Sequence, residues 1–167
     1  NIYTLPSEIP STIDTARIVW IHPALWVQKF WLAAGANNLS SVVWPVGIDT
    51  TKFSPVLNTQ KDLILVYNKQ RTAEDVATIC DALEARGEKF AVITYGKYNE
   101  DEYHRLLKQS KAIVWIGRSE SQGIGLLEAL AMNVPALVWD VNRFGDWKGN
   151  GHELFTTELL SFKPVTA

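Results

Sequence analysis

The stretch Asp62-Leu63-Ile64-Leu65-Val66-Tyr67-Asn68-Lys69-Gln70-Arg71-Thr72-Ala73-Glu74-Asp75 decides the fold. Its first six residues form an apolar run rich in branched side chains, which predicts a short buried strand. Asn68 to Arg71 is a polar loop. Thr72, with Asp75 three residues on, is a helix-start signal in which each residue can bond the backbone of the other. Val76, Ile79, Cys80 and Leu83 then recur at i, i+3, i+4 and i+7, one stripe of a helix that Gly87 can end. Cys80 falls inside this stripe and reads as a small core side chain rather than a reactive thiol.

The unit repeats downstream. Strands are expected at 90–95, 112–116 and 135–140, and helices at 102–110 and 124–132, with Tyr103, Leu106 and Leu107 on the buried side of the first helix. Strands apolar on both faces and separated by single helices predict an α/β fold, a Rossmann-like parallel sheet with helices on both faces. Right-handed crossovers then gather the loops 68–72, 96–101 and 117–123 on one sheet edge, where ligands bind.

The first 48 residues follow another rhythm: a strand at 17–21, a helix opened by Pro23 and ending near Gly35, and a strand at 41–44. The segment after Trp44 is a Pro- and Thr-bearing connection, so the natural cut falls after residue 47. Four of the seven tryptophans, at 20, 26, 31 and 44, lie before that cut. The start lacks a Met and a basic-then-apolar leader, which reads as the interior of a longer chain. With 167 residues, 47% hydrophobic and 20% charged, the composition is globular. A net charge of −2 argues against a protein that coats nucleic acid, and one cysteine excludes an internal disulfide. No apolar run approaches the roughly 18 residues that span a bilayer, and a cytoplasmic location is expected.

The loop Gly117-Arg118-Ser119-Glu120-Ser121-Gln122-Gly123-Ile124 is small and polar and leads into a helix whose first amides have no partners within the helix. Such an end attracts phosphate, and a glycine lets a diphosphate approach the backbone. Glu120 and Glu128 are spaced as Glu-x7-Glu. A carboxylate a short way into such a helix can take hydrogen bonds from ribose hydroxyls, although a bare pair of glutamates is more often solvated. There is no Walker A sequence, the third glycine of the dinucleotide fingerprint is missing, and nothing calls for a metal.

The run from Ser119 to Pro135 resembles the donor-site signature of retaining glycosyltransferases of the two-domain GT-B fold, family 4 or group 1 type. Trp44-Pro45-Val46-Gly47-Ile48-Asp49-Thr50, with Phe53 and Pro55, is similar to that family's domain-crossover segment. The resemblance covers roughly residues 17–140. It implies that residues 1–47 are a remnant of an amino-terminal acceptor domain with the crossover, and that residues 48–167 are a truncated nucleotide-sugar donor domain. It also implies a UDP- or GDP-sugar as donor substrate, no cofactor, and a glycan or other acceptor held by the missing domain.

By the same resemblance Glu128 would hold the ribose and Ser121, Gln122, Gly123 and Ile124 the diphosphate. Glu120 would touch the transferred sugar, Lys69 and Arg71 would neutralise the leaving diphosphate, and Gly96, Lys97 and Tyr98 would approach the nucleobase. The sequence departs from the pattern in three ways. Lys69 and Arg71 stand closer together than the family's basic pair, Val46 replaces an asparagine, and one strand-helix unit before the base-binding loop is absent. The family's acceptor-side histidine has no clear counterpart, since His22 reads as a cap or core residue and His104 and His152 lie in a helix and the tail. A sugar-nucleotide epimerase would share the phosphate helix and ribose glutamate, and a non-catalytic flavodoxin-like module would share only the alternation.

Overall fold

The computed structural model describes residues 6–57, 59–118, 120–142, 159 and 163. His152 and Trp147 lie outside the described residues. The described residues form two compact units, one reaching to Val46 and taking in Val141, Asn142, Leu159 and Lys163, the other Gly47–Asp140.

In the first unit, strand β1 (Trp20–His22) pairs in parallel with β2 (Ser41–Val43), and helix α1 (Leu25–Ala33) joins them. The strand expected at 17–21 starts later, because Asp14 caps a 3₁₀ turn over Thr15–Arg17 by accepting from the Ala16 amide. Alternation then sorts the faces. Trp20 and His22 turn toward Trp31 of α1, with ring centroids at 5.4 and 5.7 Å, while the register partners Ile21 and Val42 are exposed. Val27, Phe30, Trp31, Ala36 and Leu39 form a cluster that also takes Leu159. Leu159 therefore packs with the first unit. His22 is a core residue, and burial lowers its pKa. Of the four early tryptophans Trp31 is buried, Trp20 and Trp26 are half-buried, and Trp44 is 70% exposed.

The second unit opens on Asp49, whose carboxylate accepts from the Thr51 amide at 2.9 Å and the Thr51 hydroxyl at 2.6 Å. That turn delivers Phe53 into the core. There follow β3 (Leu63–Asn68), α2 (Ala73–Glu84), β4 (Lys89–Thr94), α3 (Glu100–Gln109), β5 (Ser110–Ile116), α4 (Ile124–Ala131) and β6 (Ala136–Val138). All four strands are parallel, in the order β4-β3-β5-β6.

Each face of this Rossmann-like sheet is covered. Ile64, Val66, Val114 and Ile116 pack on Val76, Ile79 and Leu83 of α2. Leu65, Tyr67, Ile113 and Trp115 pack on Tyr103, Leu106 and Leu107 of α3 and on Leu126 and Ala129 of α4. The α2 signals act as read: the Thr72–Asp75 box is formed, and Gly87 leaves the helix with φ +66°. Helix α3 begins two residues earlier than expected, because Asn99 accepts from the Glu102 amide at 2.8 Å and caps it. Strand β6 keeps only the three residues that find a partner on β5. Among the described residues no helix is long and apolar enough to cross a membrane.

Candidate functional site

The strand order places the site. The chain leaves β3 toward β4 on one side, then crosses back to β5 and moves on to β6 on the other. The loops after β3 and β5 therefore diverge, and a crevice opens between them at the carboxyl edge of the sheet. A cleft of about 250 Å³ occupies that place. Tyr67 and Trp115 are register partners on β3 and β5, and their rings stack at 3.9 Å and 5° to form its floor. A larger hollow of about 470 Å³ lies in the first unit, lined among the described residues by no side chain that ionises.

Helix α4 starts at the cleft. Its N-cap, Gly123, has φ +66° and ψ 36°, a left-handed conformation that costs L-residues with a side chain roughly 1–2 kcal/mol. Among the described residues no side chain caps the helix, and its first turn carries no acid, so its amide dipole is offset by no cap or acid of its own. Gly125 lets the helix settle onto the floor, since a Cβ there would lie 3.2 Å from the Trp115 ring. The Tyr103 hydroxyl donates to the Gly125 carbonyl at 2.5 Å and fixes that first turn from α3.

Lys69 reaches from the β3 loop and donates to Glu120 Oε2 at 2.7 Å, with its ammonium 4.9 Å from the Tyr95 ring centroid. Glu120 is 5% exposed. Burial raises its pKa, while the Lys69 ammonium and the Trp115 indole N–H pull it back down. Glu128, on the next turns of α4, is pushed up to about 6, by burial first and by Glu100 second, with Lys52 opposing. The Tyr98 hydroxyl bonds the Tyr67 hydroxyl at 2.8 Å, and burial raises the pKa of both phenols.

Of the residues singled out in the sequence, Lys69, Glu120, Ser121, Gln122, Gly123, Ile124, Glu128 and Tyr98 all line this one cleft. Three do not. Arg71 turns away: its Nε donates to the Gly117 carbonyl at 3.2 Å, its guanidinium carbon sits 4.6 Å from the Trp139 ring centroid, and its side chain is 9% exposed. Gly96 and Lys97 form an exposed tight turn after β4, closed by the Lys97 amide on the Thr94 carbonyl at 2.9 Å. Ser119 lies outside the described residues. Sequence reading missed Tyr67, Tyr95, Trp115 and Gly125. The signal was present: Tyr67 and Trp115 stand near the ends of neighbouring apolar runs, where parallel pairing brings them side by side.

This arrangement can hold an anion between a helix end and an ammonium while presenting two carboxylates to neighbouring hydroxyls. Neither a protein-family model nor a curated protein matches the sequence.

Proposed function

We propose that this chain binds a nucleoside diphosphate sugar and belongs to the donor side of a retaining glycosyltransferase, acting in the cytoplasm on a glycan or other hydroxyl-bearing acceptor. The observation that carries the reading is the uncapped, acid-free end of α4 in one cleft with Lys69, Glu120 and Glu128. The helix end and the Lys69 ammonium take the diphosphate. Charge that develops on the departing phosphate oxygen is thereby met by groups already in place, the electrostatic form of catalysis. Glu128 accepts from the ribose hydroxyls, and Glu120 from hydroxyls of the sugar, which lies beyond the phosphates. Arg71 serves the loop rather than the phosphate.

Calorimetric titration with UDP, GDP and their sugars tests this directly. Binding of one nucleoside diphosphate, with its sugar conjugate competing for the same site, is the expected result; no binding by any of them ends the assignment. An epimerase would bind the same ligands but return an inverted sugar rather than transfer it, so product analysis of the active protein separates the two.

A further inference from the structure

Three charged side chains tie the loops after β3 and β5 together. Lys69 crosses to Glu120. Arg71 crosses in the same direction to the carbonyl of Gly117, the residue before Arg118. Arg118 crosses back, and its Nε donates at 2.6 Å to the carbonyl of Gln70, the residue before Arg71. Each arginine thus holds the peptide that leads into the other.

This exchange is held against two opposing effects. Gln70 sits at φ +63°, where a residue with a side chain is disfavoured. The two guanidinium groups also repel: Arg71 has a lowered pKa, through burial first and the Arg118 charge second. Local strain of this kind persists only where surrounding contacts over-determine it, and it gathers at functional sites. The residue it fixes here is Lys69, next to Gln70. The Asn68 side chain adds to the grip by accepting from the Arg71 amide at 3.1 Å.

We propose that Arg118 is a positioning residue: with Arg71 it locks the β3 loop in its left-handed turn at Gln70, so that the Lys69 ammonium is aimed into the cleft before a diphosphate arrives. Arg118 touches no ligand in this scheme and acts through the Gln70 carbonyl. The inference rests on the reading of the cleft as a diphosphate site, and the variants are chosen so that the two can fail separately.

The test is calorimetric binding of UDP, GDP and inorganic pyrophosphate to the 167-residue chain. Arg118→Ala binds the nucleotide about tenfold more weakly than the wild type, the scale of one lost hydrogen bond involving a charged group. That substitution also removes a charge, so the deciding pair is neutral. Glycine accepts a positive φ and valine does not. Gln70 is exposed, so neither change opens a cavity. Gln70→Val therefore binds about tenfold more weakly than Gln70→Gly, again the scale of one such contact. As Lys69 swings away in Gln70→Val, the Glu120 carboxyl, followed by ¹³C NMR, titrates at higher pH than in the wild type.

If the wild type binds but Gln70→Val and Gln70→Gly bind alike, or Arg118→Ala binds as tightly as the wild type, the positioning role is wrong while the diphosphate reading stands. If the wild type binds none of the three probes, both fall together. Should Arg118→Ala not fold, Arg118→Lys, which keeps the charge but loses the planar guanidinium, takes its place with the same binding and Glu120 readouts.

Discussion

Helices α2 and α4 both start at the carboxyl edge of the sheet, one after β3 and the other after β5, yet their first turns are opposites. The end of α2 is closed: Thr72 accepts from the Asp75 amide, and Glu74 and Asp75 bring negative charge to the positive end of the dipole. Helix α3 is closed in the same way by Asn99, with Glu100, Asp101 and Glu102 in its first turn. Only α4, of the three helices that follow the strands of this unit, offers an uncapped end without an acid. Helix α1 of the first unit also starts without a side-chain cap or an acid, so an open end alone does not set α4 apart; what does is that its end shares one cleft with Lys69, Glu120 and Glu128.

The largest expected effect comes from the cation at the open end. Lys69→Ala withdraws the ammonium from a carboxylate that is 5% exposed. Thermal unfolding at pH 8 should show a loss of about 3 kcal/mol, the lower end for breaking a buried pair from one side. The loss should shrink as the pH falls, because a protonated Glu120 no longer calls for the cation. A pH-independent loss would mean that Lys69 packs rather than pairs.

Next in size is Glu128→Ala, which should weaken nucleotide binding by about 1.5–3 kcal/mol in calorimetry, the range for hydrogen bonds to a charged group. The closed end supplies the contrast. Thr72→Ala should lower stability by about 1 kcal/mol through loss of its cap and leave UDP affinity as in the wild type. If Thr72→Ala weakened UDP binding as much as Glu128→Ala, the two helix ends would not differ in function.

The smallest effect is a pH dependence. The folded pKa of Glu128, about 6, lies above its ordinary value of 4.5. Protonation therefore favours the folded state; that contribution is complete below about 4.5 and is lost as the pH rises through about 6. Glu128→Gln, which imitates the protonated form, should melt higher than the wild type at pH 8 and converge with it near pH 4. Glu128 is partly solvated, so the gain should stay under about 1 kcal/mol.

Much of this comparison was legible in the sequence. The capping box at Thr72, the apolar stripe of α2 and the alternation of strands and helices are local patterns, written in consecutive residues. The cleft residues carried by the resemblance were legible too, since eight of them meet in one place. Arg71 was not, because its position after a strand says which edge it occupies but not which way a long side chain turns. Its turn is decided by the Gly117 carbonyl and the Trp139 ring, residues far along the chain. The start of α3 was misplaced for a simpler reason: Asn99 is a capping residue that the reading of 96–101 as loop passed over. In the first unit, the capped turn at Thr15–Arg17 displaced a strand that its apolar residues alone predicted.

The stacked pair beneath the cleft has an optical consequence. Tyr67 and Trp115 lie face to face in nearly parallel planes and in contact, within an asymmetric protein frame. Two aromatic transitions held so close couple, and the coupling gives a signed near-ultraviolet circular dichroism band whose strength depends on their separation and twist. Any occupant that shifts the strands on which they stand alters that band. The floor of the crevice is thus a built-in chromophore, one that reports on the state of the crevice without a label.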